Sequence, residues 1–128
     1  KDLNTFSKKD LDALPVGQWK KIIYSEGKFF LMDSANSETG VKIACIDENF
    51  NLVGTTEVPL SYYASDIAIG AGCIVVVSYD KSAWASIDNW TQWHTLNYPK
   101  NGNGKLAFGS NKFVYAVYGD EEVYYLEP

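Results

Sequence analysis

The sequence predicts an all-β chain built as three tandem copies of a four-stranded antiparallel unit, and three observations carry that prediction. A hairpin motif recurs three times at near-constant spacing. A short apolar run closed by an acid follows each hairpin, and an aromatic residue stands nine positions before a proline once per unit.

The hairpins read Ile22-Ile23-Tyr24-Ser25-Glu26-Gly27-Lys28-Phe29, Ile67-Ala68-Ile69-Gly70-Ala71-Gly72-Cys73-Ile74 and Leu106-Ala107-Phe108-Gly109-Ser110-Asn111-Lys112-Phe113, aligned without a gap at offsets of 45 and 39 residues. Each is an apolar triplet, a turn ending in Gly, Gly or Asn, and a second apolar run. Gly and Asn tolerate the positive φ of a tight hairpin turn. The second runs, Phe29 to Met32, Ile74 to Val77 and Phe113 to Val117, are apolar on consecutive positions, as in strands buried on both faces.

The third strand of each unit ends Ile46-Asp47, Ile87-Asp88 and Leu126-Glu127. The fourth is marked by Phe6 and Pro15, Phe50 and Pro59, and Trp90 and Pro99. Proline there fits an edge strand, where a missing N–H costs nothing. The segment from Asp2 to Ala13 has the composition of a short helix, but the Phe6–Pro15 interval favours a fourth strand. The whole chain is thus expected to be one domain, 1–128, with units at about 16–59, 60–99 and 100–128, the last completed by strand 2–15. Stacked helix pairs share the period, but no segment repeats apolar residues at three and four over a helical length.

A period near ~40–50 residues with four strands per unit is that of β-propeller blades. The stretch Gly17-Gln18-Trp19-Lys20-Lys21-Ile22-Ile23-Tyr24-Ser25-Glu26-Gly27-Lys28-Phe29-Phe30 resembles the opening of propeller-like repeats in phage tail and appendage proteins. Ser86-Ile87-Asp88-Asn89-Trp90-Thr91-Gln92-Trp93 is similar to the Asp-box of sialidase-like propellers, with Trp90 where Gly is usual, a departure that works against a tight loop. In those families the Asp-box is a folding element on the rim, so the resemblance implies a fold and not catalysis.

Composition narrows function. The 128 residues carry a net charge of −5, with eleven Lys, sixteen acids, one His and no Arg. An acidic chain repels a phosphate backbone, and without Arg there is no bidentate fork for phosphate or carboxylate. Nucleic acid is therefore not an expected partner. The longest apolar run, Ile67 to Val77, is about half the ~20 residues of a membrane helix, so membrane insertion is not expected either. Cys45 and Cys73 fall at non-equivalent repeat positions and read as two thiols rather than a staple.

No catalytic residue, metal or cofactor is expected. A triad would need His94, which falls in an outer strand. Asp47-Glu48 and Glu121-Glu122 are adjacent acids at loop-like positions, the weakest form of the paired carboxylates of a glycosidase. The one surplus is aromatic: Trp84, Trp90, Trp93, Tyr62, Tyr63 and Tyr98, in or beside the second unit, are the candidate ligand-binding residues, because flat rings stack on sugars. Trp84 and Trp90 also fit as wedges between blades.

Three blades do not close a ring, so a larger assembly of about six blades is expected, either two copies joined head to tail or a longer run of blades. The reading is a non-enzymatic structural or receptor-binding module of a phage tail, fibre or head appendage, in the virion or outside the cell. Its partners would be other copies, other virion proteins or a cell-surface glycan. A secreted or surface propeller lectin for neutral glycans is the alternative, and a glycosidase-like enzyme the third reading.

Overall fold

A computed structural model describes residues 3–11, 18–33, 41–60, 63–97 and 102–128. Among these the chain has no helix and eleven strands in three antiparallel sheets. Blade 1 holds β1 (Trp19–Ser25), β2 (Lys28–Asp33), β3 (Val41–Asp47) and β4 (Leu52–Val58) in that order. Blade 2 holds β5 (Ala64–Gly70), β6 (Cys73–Ser78), β7 (Ser82–Ser86) and β8 (His94–Leu96), and blade 3 holds β9 (Gly104–Gly109), β10 (Lys112–Val117) and β11 (Val123–Leu126).

Strand register follows the sequence repeat. Ser25 pairs with Lys28, Gly70 with Cys73 and Gly109 with Lys112, so the three hairpins superimpose at the 45- and 39-residue offsets. Both turn residues have positive φ every time: 50° and 80° at Glu26 and Gly27, 50° and 72° at Ala71 and Gly72, 48° and 56° at Ser110 and Asn111. That is the turn whose twist matches the flanking strands, and Gly or Asn at the second position makes it inexpensive.

Cross-strand pairing sorts each blade into two faces. In blade 1, Ile23, Phe30, Cys45 and Gly54 form one row and Lys21, Met32, Ile43 and Thr56 the next, all on the side toward blade 2. They meet Ile67, Ile69, Ile74, Val76 and Ala83 of blade 2 in the larger core. The opposite face of blade 2, with Ala68, Val75 and Val77, meets Leu106, Phe113, Tyr115 and Val117 of blade 3. Blade 2 is therefore covered on both sides, which is why β5 and β6 are apolar without alternation.

The first strands of successive blades lie against one another, and a buried carboxylate fastens all three. A bulge between Trp19 and Lys21 recurs between Ala64 and Asp66, at the same place in the repeat. In blade 2 it sets Asp66, 4% exposed, between its neighbours. Lys21 Nζ of blade 1 stands 2.8 Å from Asp66 Oδ1, which also accepts from Ile67 N at 2.9 Å, while Leu106 N of blade 3 donates to Oδ2 at 2.8 Å. Lys20 Nζ reaches Ala64 O (3.0 Å) and Lys105 Nζ reaches Ser65 O (3.3 Å). Burial, then the nearby Lys105 ammonium, hold the Lys20 ammonium below the usual lysine range, with Asp66 opposing both.

Residues 3–11 of the stretch expected to supply blade 3 with a fourth strand form no strand or helix; the rest of 2–15 lies outside the described residues. Among the described residues nothing pairs with the outer edge of β11. A strand needs a ladder partner, and residues 3–11 face water instead, with Leu3 and Phe6 fully exposed. Only Leu11 packs, against Leu31, Ala44 and Ile46 on the far face of blade 1.

Two substitutions test this account. Asp66→Ala leaves Leu106 N and the Lys21 ammonium without their acceptor and is expected to lower unfolding stability by about 3 kcal/mol, read from the urea midpoint. Gly70→Ala places a Cβ 2.1 Å from the Phe108 ring and is expected to cost about 1–3 kcal/mol by the same assay, whereas Gly109→Ala, with open space at the equivalent position, is expected to be nearly neutral.

Candidate binding cleft

A cleft opens between the outer halves of blades 2 and 3. β8 has only three residues and blade 3 has no fourth strand among the described residues, so their sheets do not meet fully at the rim. Two adjoining cavities of about 490 and 300 Å³ result, sharing Val75, Leu96, Phe113 and Leu126. Ser82, Asn97, Tyr115 and Tyr124 bring polar atoms to the larger one, and Trp84, Cys73 and Glu127 border the smaller. An apolar floor with a few hydroxyl and amide groups suits a neutral ligand with one apolar face.

Tyr124 is fixed rather than free. Its hydroxyl donates to Asp120 Oδ2 at 2.9 Å, and that bond, helped by desolvation and the Asp120 charge, pushes its pKa up to about 12. Trp84 lies half-buried against the core between blades 2 and 3, its ring stacked on His94 at 4.8 Å and 30°. The single imidazole thus covers a tryptophan face at the solvent edge.

Of the four described residues among the six aromatics picked from the sequence, Trp84 alone borders this cleft. Trp90 and Trp93 pack at the other junction, against the core between blades 1 and 2. Trp90 meets Phe30 edge-on at 6.0 Å and lies over Gly54, where a Cβ would stand 3.4 Å from its ring. Buried Thr56 ties the pair, its Oγ1 donating to Trp90 O at 2.9 Å and accepting from Trp93 Nε1 at 3.3 Å. Tyr63 is 46% exposed just before β5, and Tyr62 and Tyr98 lie outside the described residues.

The Asp-box-like turn closes despite Trp90. Asp88 N donates to Ser86 Oγ and Asn89 N to Ser86 O, both at 3.2 Å. Trp90 has no positive φ, so the turn does not need glycine there and the ring is free to pack inward. Of the two acid pairs, Asp47-Glu48 is taken up by hydrogen bonds at and beside its turn. Asp47 Oδ1 accepts from Asn49 N and Asn51 N at 2.9 Å, which holds its carboxyl below the usual range, and Glu48 Oε2 accepts from Tyr24 OH at 2.7 Å. Cys45 and Cys73 are both free thiols, the first buried, which raises its pKa, and the second half-buried.

Sequence reasoning passed over Tyr115, Phe113, Leu96 and Tyr124 as cleft residues. The signal was there in β11: alternation from Val123 puts Tyr124 and Leu126 on the side toward blade 2. The missing knowledge was where the sheets diverge, which no local pattern encodes.

Among solved structures, the chain is similar to the WD40 domain of Pan2 from Neurospora crassa, with a TM-score of 0.62 over 86% of this chain at 10% identity. The fold is propeller-like. The chain spans 32% of the length of that WD40 domain chain. No protein-family model and no curated protein matches the sequence.

The Tyr124 arrangement predicts a titration. Its folded pKa is raised above the unfolded value of 10.0 to about 12, so its contribution to stability is complete below pH 10 and is lost as pH rises through about 12. Ultraviolet titration should show a tyrosine ionising near pH 12 that returns toward 10 in Asp120→Ala.

Proposed function

We propose that the chain is a non-enzymatic structural or receptor-binding module of a phage tail, fibre or head appendage, acting within a larger ring of about six blades. The observation that carries this reading is that blade 3 leaves open the kind of surface that blades 1 and 2 bury. Val114 and Ala116 occupy the repeat positions of Phe30 and Met32 in blade 1 and of Val75 and Val77 in blade 2, which are at most 3% exposed. In blade 3, Val114 is half-buried and Ala116 exposed, and beside them on the same face Val123 and Tyr125 are 63% and 65% exposed. Such a surface belongs inside an assembly. The likeness of Gly17–Phe30 to phage appendage repeats supports a virion as its setting. His94 is taken up by Trp84 stacking and Asp47-Glu48 by hydrogen bonds at and beside their turn, which supports a binding rather than a catalytic role.

Immunogold electron microscopy of purified particles, using antibody raised against the chain, is expected to label a tail, fibre or head appendage. Label confined to the soluble fraction of the lysate, with bare particles, sinks the virion reading.

The cleft beside Trp84 supports a second reading, a lectin for neutral glycans. On a glycan array Trp84→Ala is then expected to lose at least tenfold in affinity, while Trp90→Ala, which empties the wedge between blades 1 and 2, lowers stability by about 3–5 kcal/mol and leaves ligand preference unchanged. Equal glycan binding by the Trp84→Ala variant excludes the cleft.

A further inference from the structure

The charges along the innermost strands state what kind of neighbour the free face of blade 3 fits. Lys21, Asp66 and Lys105 occupy one repeat position, at the same 45- and 39-residue offsets as the hairpins. Each belongs to the face its blade turns toward the next one. Lys21 shares a row with Met32 and Ile43, Asp66 with Val77 and Ser82, and Lys105 with Ala116 and Val123.

The two junctions inside the chain each contain one carboxylate at this position. Between blades 1 and 2, Lys21 reaches forward to Asp66 at 2.8 Å; between blades 2 and 3, Asp66 accepts Leu106 N at 2.8 Å. Lys105 ends the series: its position lies in the free-face row, its ammonium reaches back to Ser65 O of blade 2 at 3.3 Å, and it offers no acceptor to a further blade.

A second copy of the chain would bring its own blade 1 to that face. Lys105 would then stand beside Lys21 of the second copy, and Ile22 N of that copy would lack the acceptor that Leu106 N finds in Asp66. Like charges at a packed junction oppose association. The far face of blade 1 is moreover partly covered, with Leu31, Ala44 and Ile46 at 6%, 1% and 7% exposure and packed against Leu11, Trp19, Phe29 and Leu52.

We propose that the free face of blade 3 docks a further blade whose first strand carries a carboxylate at the position of Asp66, and not the first blade of a second copy. The partner is thus a β-sheet blade with an apolar face and an acid on its innermost strand. Lys105 turns from Ser65 O to that acid, which it then meets as Lys21 meets Asp66, and Val114, Ala116, Val123 and Tyr125 are covered by the docked blade. The inference rests on the ring reading above but not on its virion setting, since its test is self-association of the purified chain.

The test makes the chain supply the missing acid itself. Sedimentation equilibrium of wild type, Lys105→Asp and Lys105→Met gives the dissociation constant of the two-chain species, with circular dichroism melts to verify folding and Lys105→Glu as the second acid variant should the aspartate variant unfold. The acid variant is expected to associate at least tenfold more tightly than wild type, because its new carboxylate accepts Ile22 N and faces Lys21 of the other copy. Lys105→Met, which removes the like charge without supplying an acceptor, is expected to gain less than about threefold. Association of the acid variant no tighter than wild type, or a methionine variant as tight as the acid one, overturns the proposal.

Discussion

Every sheet in this chain is apolar on both faces, and a sheet of that kind is stable only when something stands on each side of it. Blade 2 meets the condition fully, and its β5 and β6 are buried almost throughout. The order of the blades and the near-absence of alternation in their middle strands follow from it. So does the exposure of the end face, because the outermost blade has a neighbour on one side only.

Asp66 adds direction to what apolar burial alone would leave loose. Hydrophobic packing sets no register between blades, since Ile, Val and Phe surfaces slide at small cost. A buried carboxylate that must keep one ammonium and two backbone N–H groups admits a single arrangement of three first strands. The bulge that presents it recurs in blade 1, where the same position holds Lys21, so one backbone device serves opposite charges.

The aromatic residues divide along the same lines. Trp90 and Trp93 fill the junction of blades 1 and 2 and are held by Thr56, whereas Trp84 sits at a junction that gapes toward the rim. Sequence treated the three as one group because they lie within ten residues of each other. Their separation arises because β7 and the turn after it present side chains to opposite faces of blade 2, a consequence of strand period two. The cleft follows from the short β8 and from blade 3 having three strands among the described residues, rather than from any motif.

What the sequence determined by itself is local and periodic: the three hairpin turns, the strands around them, and Pro59 directly after β4, all set by backbone preferences and nearest neighbours along the chain. Tertiary structure alone decided that Asp66 joins three blades, that Trp90 points inward from an Asp-box-like turn, and that residues 3–11 stay unpaired. Each of these depends on groups 40 to 60 residues away in sequence, or on a ladder partner that the described residues do not supply, and no pattern read along a strand carries that information.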